Sequence, residues 1–139
     1  AFFYYNKYSN IYIYKVKLYP GIKNEISKIK KNYNVALFTS KNKKRVKKIL
    51  NKFQIKFEKI VALDDVVKPK PNPEGLLKII KIYPYDKNKI FYLGDTIHDF
   101  IAAKKSKIKF LHCNWGFFMS DNKEIKRLKK ITDISRTFS

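Results

Sequence analysis

Two carboxylates follow directly after a short apolar run in the second half of the chain. The run covers residues 90–93 and ends at Gly94, and Asp95 and Asp99 come next. Ligands of open α/β sheets bind outside the carboxyl ends of the strands, where a glycine lets the backbone turn tightly. If a helix begins there, both carboxylates share one face, which suits a hard cation such as Mg²⁺. In the alternative interpretation, Asp95 caps the helix and Asp99 is a solvated acid.

A hydroxyl and a cation follow other apolar runs. Thr39 and Ser40 come after residues 35–38, and the Thr39 hydroxyl with the backbone amides behind it suits a phosphoryl oxygen. The alternative is that Thr39 caps the next helix. Lys70 stands between two prolines, whose stiffness would fix its charge, although the chain has many surface lysines. Together with Asp95 and Asp99, these groups predict one pocket for a phosphate and Mg²⁺.

The apolar runs alternate with helical patterns along most of the chain. Strands are predicted at residues 35–38, 57–63, 90–93 and 108–112, and helices at 21–31, at 43–53, from 73, from 100 and at 123–130. Such alternation predicts an α/β fold of the Rossmann-like kind, a parallel sheet with helices on both faces. Residues 1–18 give two different patterns. The aromatic residues at the start of this segment could line one face of a helix, whereas residues 11–18 suit a strand.

The charge of the chain is strongly positive, at +21, with 32 Lys and Arg against 11 Asp and Glu. Arginine occurs only at Arg45, Arg127 and Arg136, and the lysines are spread along the whole sequence. Because specific nucleic-acid recognition depends heavily on arginine, we interpret the lysines as solvated surface and expect no specific nucleic-acid partner. A basic nucleic-acid-binding module remains the alternative.

The cysteine and hydropathy patterns predict the environment of the protein and exclude some kinds of site. Cys113 is the single cysteine, so the chain cannot form an internal disulfide, and a reducing, cytoplasmic environment is predicted. No cysteine–histidine cluster has zinc spacing, and no apolar run reaches the roughly 18 residues that span a membrane. With 45% hydrophobic residues, the chain has enough apolar side chains for the core of one domain.

Four segments are distinctive: YPGI at residues 19–22, VALFTSK at 35–41, KPNPEGLL at 70–77 and FYLGDTIHDFIAAKKSKIK at 91–109. Together they resemble the haloacid dehalogenase superfamily, and within it the phosphoglycolate phosphatase-like branch. The resemblance implies a three-layer core of this family's type and a Mg²⁺-dependent phosphatase that acts on a small phosphorylated metabolite. It says nothing of the oligomeric state.

The resemblance also implies a role for each candidate residue. Thr39 matches the hydroxyl that holds a phosphoryl oxygen, and Lys70 matches the lysine that steadies the transferring group, with Lys68 as its rival. Asp95 matches the acid that binds Mg²⁺, and Asp99 supports the metal or its waters. In the family, an aspartate at the end of the first strand attacks phosphorus and forms an aspartyl-phosphate, and a second aspartate two residues on is the general acid and base.

The first family motif, an Asp-X-Asp triplet, is absent from this sequence. The adjacent pair Asp64 and Asp65 lacks the spacing and follows a different strand. The resemblance therefore predicts that residues 1–18 are the end of a helical cap and that residues 19–139 are the C-terminal part of the core. It leaves two functions open, a phosphatase whose nucleophile lies outside this chain and a catalytically inactive relative.

The missing motif has a structural consequence. In the family its strand is central and lies between the strands predicted at residues 35–38 and 90–93. Without it, buried backbone groups on both sides lose their hydrogen-bond partners, and each such group costs free energy. We therefore expect an incomplete core and a poorly stable chain, unless the strand predicted at residues 11–18 fills the gap.

Overall fold

Strands and helices alternate through most of the molecule. A computed structural model describes residues 3–4, 16–117 and 122–139. The strands in these ranges are β1 (Phe3–Tyr4), β2 (Lys17–Leu18), β3 (Ala36–Phe38), β4 (Lys59–Val61), β5 (Phe91–Gly94), β6 (Lys109–Cys113) and β7 (Lys126–Leu128). The helices are α1 (Ile22–Ile29), α2 (Lys43–Phe53), α3 (Glu74–Ile82), α4 (Ile97–Ser106) and α5 (Asp133–Thr137). Within these ranges no helix combines the length and the apolar character needed to cross a membrane.

The longer strands pair in parallel, as the alternation of strands and helices predicts. In one sheet β3 pairs with β4, and Leu37 lies opposite Ile60. In the other, β6 lies between β5 and β7, and Leu93 lies opposite Leu111. The short strands β1 and β2 form a separate antiparallel pair. The predicted α/β fold is therefore confirmed, although its parallel strands are divided between two sheets.

Two apolar cores lie on opposite faces of the strands. Side chains alternate between the faces of a strand, so neighbouring residues of β3 enter different cores. Leu37 packs on the side of α1, α2 and α5, in a core that includes Ile22, Ile26, Val46, Leu50 and Ile134. Phe38 packs on the side of α3 and α4, with Leu76, Ala102 and Ala103. The helices thus cover both faces.

The C-terminal part of the chain corrects one secondary-structure prediction. The helix predicted at residues 123–130 is wrong, because Lys126–Leu128 forms β7 and extends the sheet from the edge of β6. Leu128 is buried by this pairing, and its carbonyl accepts a hydrogen bond from Asn114. Hydrogen bonding to an open strand edge here outweighs the helical spacing of the apolar residues. α5, which was not predicted, follows and buries Ile134.

The N-terminal predictions are tested only in part. Phe3–Tyr4 forms a strand and not the predicted helix face, since it pairs with Lys17–Leu18. Lys17–Leu18, the end of the strand predicted at residues 11–18, pairs with neither β3 nor β5 in the described ranges. Residues 1–2 and 5–15 lie outside the described residues.

A cavity of about 1040 Å³ separates the two parallel sheets. It is lined along its length by residues of both β3 and β5, which are not joined by a strand ladder in the described ranges. At the amino ends of these strands, Asn34 Nδ2 donates a hydrogen bond across the cavity to the Tyr85 hydroxyl at 2.6 Å. The carboxyl ends of the strands form the opposite end, which we call the mouth.

Candidate functional site

The mouth of the cavity collects the polar groups that follow the strands. Thr39 and Ser40 follow β3, Lys70 lies on the loop between β4 and α3, and the two carboxylates follow β5 or lie on α4. All five predicted site residues line the cavity: Thr39, Ser40, Lys70, Asp95 and Asp99. The structure therefore brings the sequence-predicted residues together.

Lys70 is fixed by contacts on several sides. Its Nζ donates to Asp99 Oδ1 at 2.8 Å and to the Tyr92 hydroxyl at 3.2 Å, and it lies 4.9 Å from the centre of the Phe38 ring. An ammonium group has three donors, so these two bonds leave one N–H for a ligand. Lys68 is exposed, and its backbone N–H donates to Glu74. Lys70, and not its rival, therefore presents its charge to the cavity.

Asp99 is a buried acceptor at the centre of the site, with 4% of its surface exposed. Its Oδ1 accepts from Lys70 and from the Tyr92 hydroxyl at 2.7 Å, while Oδ2 accepts from the Thr96 hydroxyl at 2.8 Å and from the backbone N–H of Thr96 and Asp95. Burial alone would raise the pKa of Asp99, but the charge and hydrogen bond of Lys70, with Tyr92 and Thr96, lower it to about 2. The interpretation of Asp99 as a solvated acid is wrong.

Asp95 sits half-buried between the end of β5 and the loop after β6. Its Oδ2 accepts a hydrogen bond from the Phe117 backbone N–H at 3.1 Å. Gly116 is packed so closely that an added Cβ would lie 2.3 Å from the same oxygen. The N-cap of α4 is Thr96, whose hydroxyl accepts from the Asp99 N–H, so the interpretation of Asp95 as the cap is also wrong.

The carboxylates at the mouth differ in how well they fit a divalent cation. No group of three or more His, Cys, Asp or Glu residues in the described ranges is arranged to hold a metal ion. Mg²⁺ commonly binds through one or two carboxylates and keeps waters and substrate phosphate as its other ligands, so Asp95 fits it. Both oxygens of Asp99 already accept hydrogen bonds. Support of the metal or its waters by Asp99 stays a prediction.

Thr39 lies at the same mouth of the cavity as Lys70 and Asp95. Its Oγ1 accepts a hydrogen bond from the Lys41 backbone N–H at 3.2 Å, so the hydroxyl proton can be donated to a ligand oxygen. Thr39 does not cap α2, because Asn42 accepts from the Arg45 N–H at 2.9 Å and is the N-cap. Ser40 is exposed at the mouth. This local geometry suits the binding of phosphoryl oxygens.

Three residues that support the site were not predicted. Thr96 and Asp99 form a capping box at the start of α4. The Thr-X-X-Asp spacing before an apolar segment is a signal from which this box could have been predicted. Glu74 accepts from the backbone N–H groups of Val67 and Lys68 and so ties down the loop that carries Lys70. Tyr92 gave no signal, because a tyrosine within an apolar strand is indistinguishable from an ordinary core residue.

Known proteins are similar to this chain over most of its length. The family model described as haloacid dehalogenase-like hydrolase matches residues 2–113. Pyrophosphatase PpaX of Halalkalibacterium halodurans is 32% identical over 97 residues, which are 68% of this chain and 45% of that protein. Phosphoglycolate phosphatase of Pseudomonas fluorescens is 26% identical over 103 residues, 72% of this chain and 38% of the relative. The chain thus spans about half the length, or less, of the curated relatives it matches.

Solved structures share the fold. A haloacid dehalogenase-superfamily hydrolase from Geobacter sulfurreducens has a TM-score of 0.78 at 17% identity, covering 89% of this chain and 57% of that one. A haloacid dehalogenase-like family protein from Streptococcus pneumoniae also has a TM-score of 0.78, at 18% identity, covering 95% and 65%. At these identities the likeness concerns the fold alone.

Proposed function

We propose, since this chain belongs to the haloacid dehalogenase-like hydrolase family, that it is the C-terminal part of a Mg²⁺-dependent phosphomonoester hydrolase. Its substrates would be small phosphorylated metabolites, as the names pyrophosphatase and phosphoglycolate phosphatase indicate for two of its relatives. The observation that supports the proposal is the meeting of Thr39, Lys70 and Asp95 at the mouth of one cavity. Residues 1–18 would be the end of a cap, and residues 19–139 would belong to the core.

Each residue at the mouth has a task in this proposal. Phosphoryl transfer depends mainly on positioning and on neutralising the charge of the phosphate. Thr39 and Ser40 would bind phosphoryl oxygens, and Lys70 would neutralise charge on the transferring group. Asp95 would hold Mg²⁺, which when bound supplies further neutralisation and orientation of the phosphate. Asp99 would act as a positioning residue, because it holds Lys70 at 2.8 Å.

The attacking carboxylate would come from outside this chain, which contains no Asp-X-Asp triplet. A strand inserted between β3 and β5 would end beside Thr39, Lys70 and Asp95. A carboxylate at its end would attack phosphorus, the phosphorus–oxygen bond to the leaving group would break, and a second aspartate would protonate the leaving oxygen. Water, deprotonated by that same aspartate, would then attack phosphorus and release phosphate and the first carboxylate.

We expect the natural polypeptide, expressed from its own start codon, to hydrolyse an aryl phosphate in a Mg²⁺-dependent way. Asp95→Asn is expected to lower kcat/KM by about 1000-fold, since it removes the carboxylate that would hold the metal. Asp64→Asn, a change at an exposed acid, is the matched control and is expected to keep full activity. Initial rates with and without Mg²⁺ provide the measurement.

The same assay on the 139-residue chain alone tests where the nucleophile lies. We expect no turnover by this chain. Turnover abolished by Asp95→Asn would mean that a carboxylate within residues 1–139 is the nucleophile, and the assignment of an outside strand would be wrong. An inactive natural polypeptide that still binds Mg²⁺ and phosphate would favour the catalytically inactive relative.

Gly116→Ala is expected to impair the Asp95 site without unfolding the protein. The new Cβ would lie 2.3 Å from Asp95 Oδ2 and 2.5 Å from its Cβ, so the whole side chain must move. Because disturbing the groups that orient a metal ligand typically costs about 10- to 100-fold in metal affinity, we expect a loss of at least about tenfold in Mg²⁺ affinity. Calorimetric Mg²⁺ titration of the natural polypeptide measures it. Unchanged affinity would refute the placement of the metal at Asp95.

A further inference from the structure

A buried histidine lies at the end of β6. His112 is paired in register with Gly94, the last residue of β5, and its side chain is almost completely shielded from solvent. Buried polar groups need hydrogen-bond partners, and both ring nitrogens of His112 have polar neighbours. Nδ1 lies 2.8 Å from Asn114 Oδ1 and 3.2 Å from Arg127 Nη1. Nε2 lies 3.1 Å from the carbonyl oxygen of Phe117. The ring thus joins β6 to β7 on one side and to the loop after β6 on the other.

The contact of Nε2 continues to Asp95 through the backbone of one residue. A carbonyl oxygen only accepts hydrogen bonds, so Nε2 carries a proton and donates to the Phe117 carbonyl. The backbone N–H of the same Phe117 donates to Asp95 Oδ2 at 3.1 Å. Just before it, the Gly116 N–H donates to the Cys113 carbonyl at 3.0 Å and closes the turn. Loss of the Nε2 donor would release the Phe117 carbonyl, and the N–H that holds the Asp95 carboxylate could then shift.

We propose that His112 is a positioning residue, which fixes the orientation of the Asp95 carboxylate through the backbone of Phe117. Groups that hydrogen-bond to a metal ligand hold it in the geometry that the metal requires, and their loss typically reduces metal affinity about 10- to 100-fold. His112 is not among the described residues that line the cavity, so it would act through Phe117 and Asp95 and not by contact with the metal. This inference rests on the proposed function, because it takes Asp95 as the residue that binds Mg²⁺.

Two substitutions separate the roles of the two ring nitrogens. A glutamine side chain carries an N–H donor about as far out as Nε2, whereas an asparagine side chain reaches only as far as Nδ1. In calorimetric Mg²⁺ titrations of the natural polypeptide, His112→Asn is expected to weaken Mg²⁺ binding at least about tenfold, and His112→Gln less than about threefold. Stability should not follow this order in urea unfolding, because asparagine keeps a polar group near Asn114 and Arg127. Lys126→Gln, at an exposed residue of β7, is the control.

The outcomes distinguish this inference from the function on which it rests. If Asp95→Asn leaves the Mg²⁺ affinity unchanged, the metal site of the proposed function is refuted. If Asp95→Asn weakens Mg²⁺ binding while His112→Asn binds Mg²⁺ no more weakly than His112→Gln, the role of His112 is refuted and the metal site stands.

A further measurement needs no substitution, and so it does not depend on whether the variants fold. Long-range proton–nitrogen NMR correlation spectra of the natural polypeptide should show His112 protonated at Nε2, as donation to the Phe117 carbonyl requires. A ring that is protonated at Nδ1 alone would overturn the inference.

Discussion

The isolated 139-residue chain is expected to show no cooperative thermal unfolding transition above room temperature. β3 pairs on one side with β4, and β5 pairs on one side with β6, while a cavity of about 1040 Å³ lies between them. Buried backbone groups without hydrogen-bond partners are costly, and the apolar side chains of two cores are held by a divided sheet. Differential scanning calorimetry of this chain is the measurement.

A peptide that completes the sheet is expected to create or raise this transition. The suitable peptide has five or six apolar β-forming residues followed by Asp-X-Asp, so that its acids reach Lys70 at the mouth. At 100 times its Kd, a ligand specific for the folded state stabilises by about 2.7 kcal/mol. For a domain of this size, that raises the midpoint by about 10 °C.

Two controls make this test specific. The same peptide with a proline at its centre cannot complete both ladders and is expected to have no effect. The peptide with both acids changed to asparagine should bind less tightly, because it loses the attraction of Lys70. A sharp transition of the isolated chain well above room temperature, unchanged by the peptide, would show that the gap is not a site for a missing strand.

The sequence predicts the fold best where local pattern and tertiary packing agree. The helix predicted at residues 43–53 is α2 (Lys43–Phe53) itself, because Asn42 caps it and its apolar residues face one core. The prediction fails at residues 123–130, where the edge of β6 offers hydrogen bonds that no local pattern encodes. Sheet edges are formed by residues distant in sequence, so a short strand added to an edge is hard to predict.

The sequence predicts which residues meet at the candidate site, but it does not predict their side-chain partners. Parallel strands bring their carboxyl ends together, so Thr39, Lys70 and Asp95 could be expected to meet at one mouth. Side-chain partners depend on rotamers and on residues that resemble core positions, such as Tyr92. The support of the metal or its waters by Asp99, which the resemblance implies, stays a prediction, whereas the network of Asp99 with Lys70, Tyr92 and Thr96 was not predicted.

Removing the charge of Asp99 is expected to cost about 3 kcal/mol of unfolding free energy, because breaking a buried ion pair leaves an uncompensated charge. The side chains of Asp99 and Lys70 are only 6% and 12% exposed. Asp99→Asn leaves the Lys70 ammonium without its carboxylate and brings an amide N–H₂ into a cluster of donors. Urea unfolding of the natural polypeptide at pH 7 measures the loss, and Asp64→Asn, at an exposed acid, should cost less than about 1 kcal/mol.

A variant of Lys70 and the pH dependence of stability test whether the ion pair causes that loss. Lys70→Met removes the cation that Asp99→Asn leaves unpaired. The variant with both changes should therefore lose less unfolding free energy than the sum of the losses of the two single variants. The pKa of Asp99 is about 2 in the folded protein and near 3.8 when unperturbed, so its stabilisation is complete above the unfolded value. That stabilisation, about 2 kcal/mol, should disappear as the pH falls through the folded pKa of Asp99. The difference in unfolding free energy between the wild type and Asp99→Asn should therefore become smaller at low pH. Additive losses, or a gap that does not depend on pH, would show that Asp99 and Lys70 act independently and that packing alone accounts for the change.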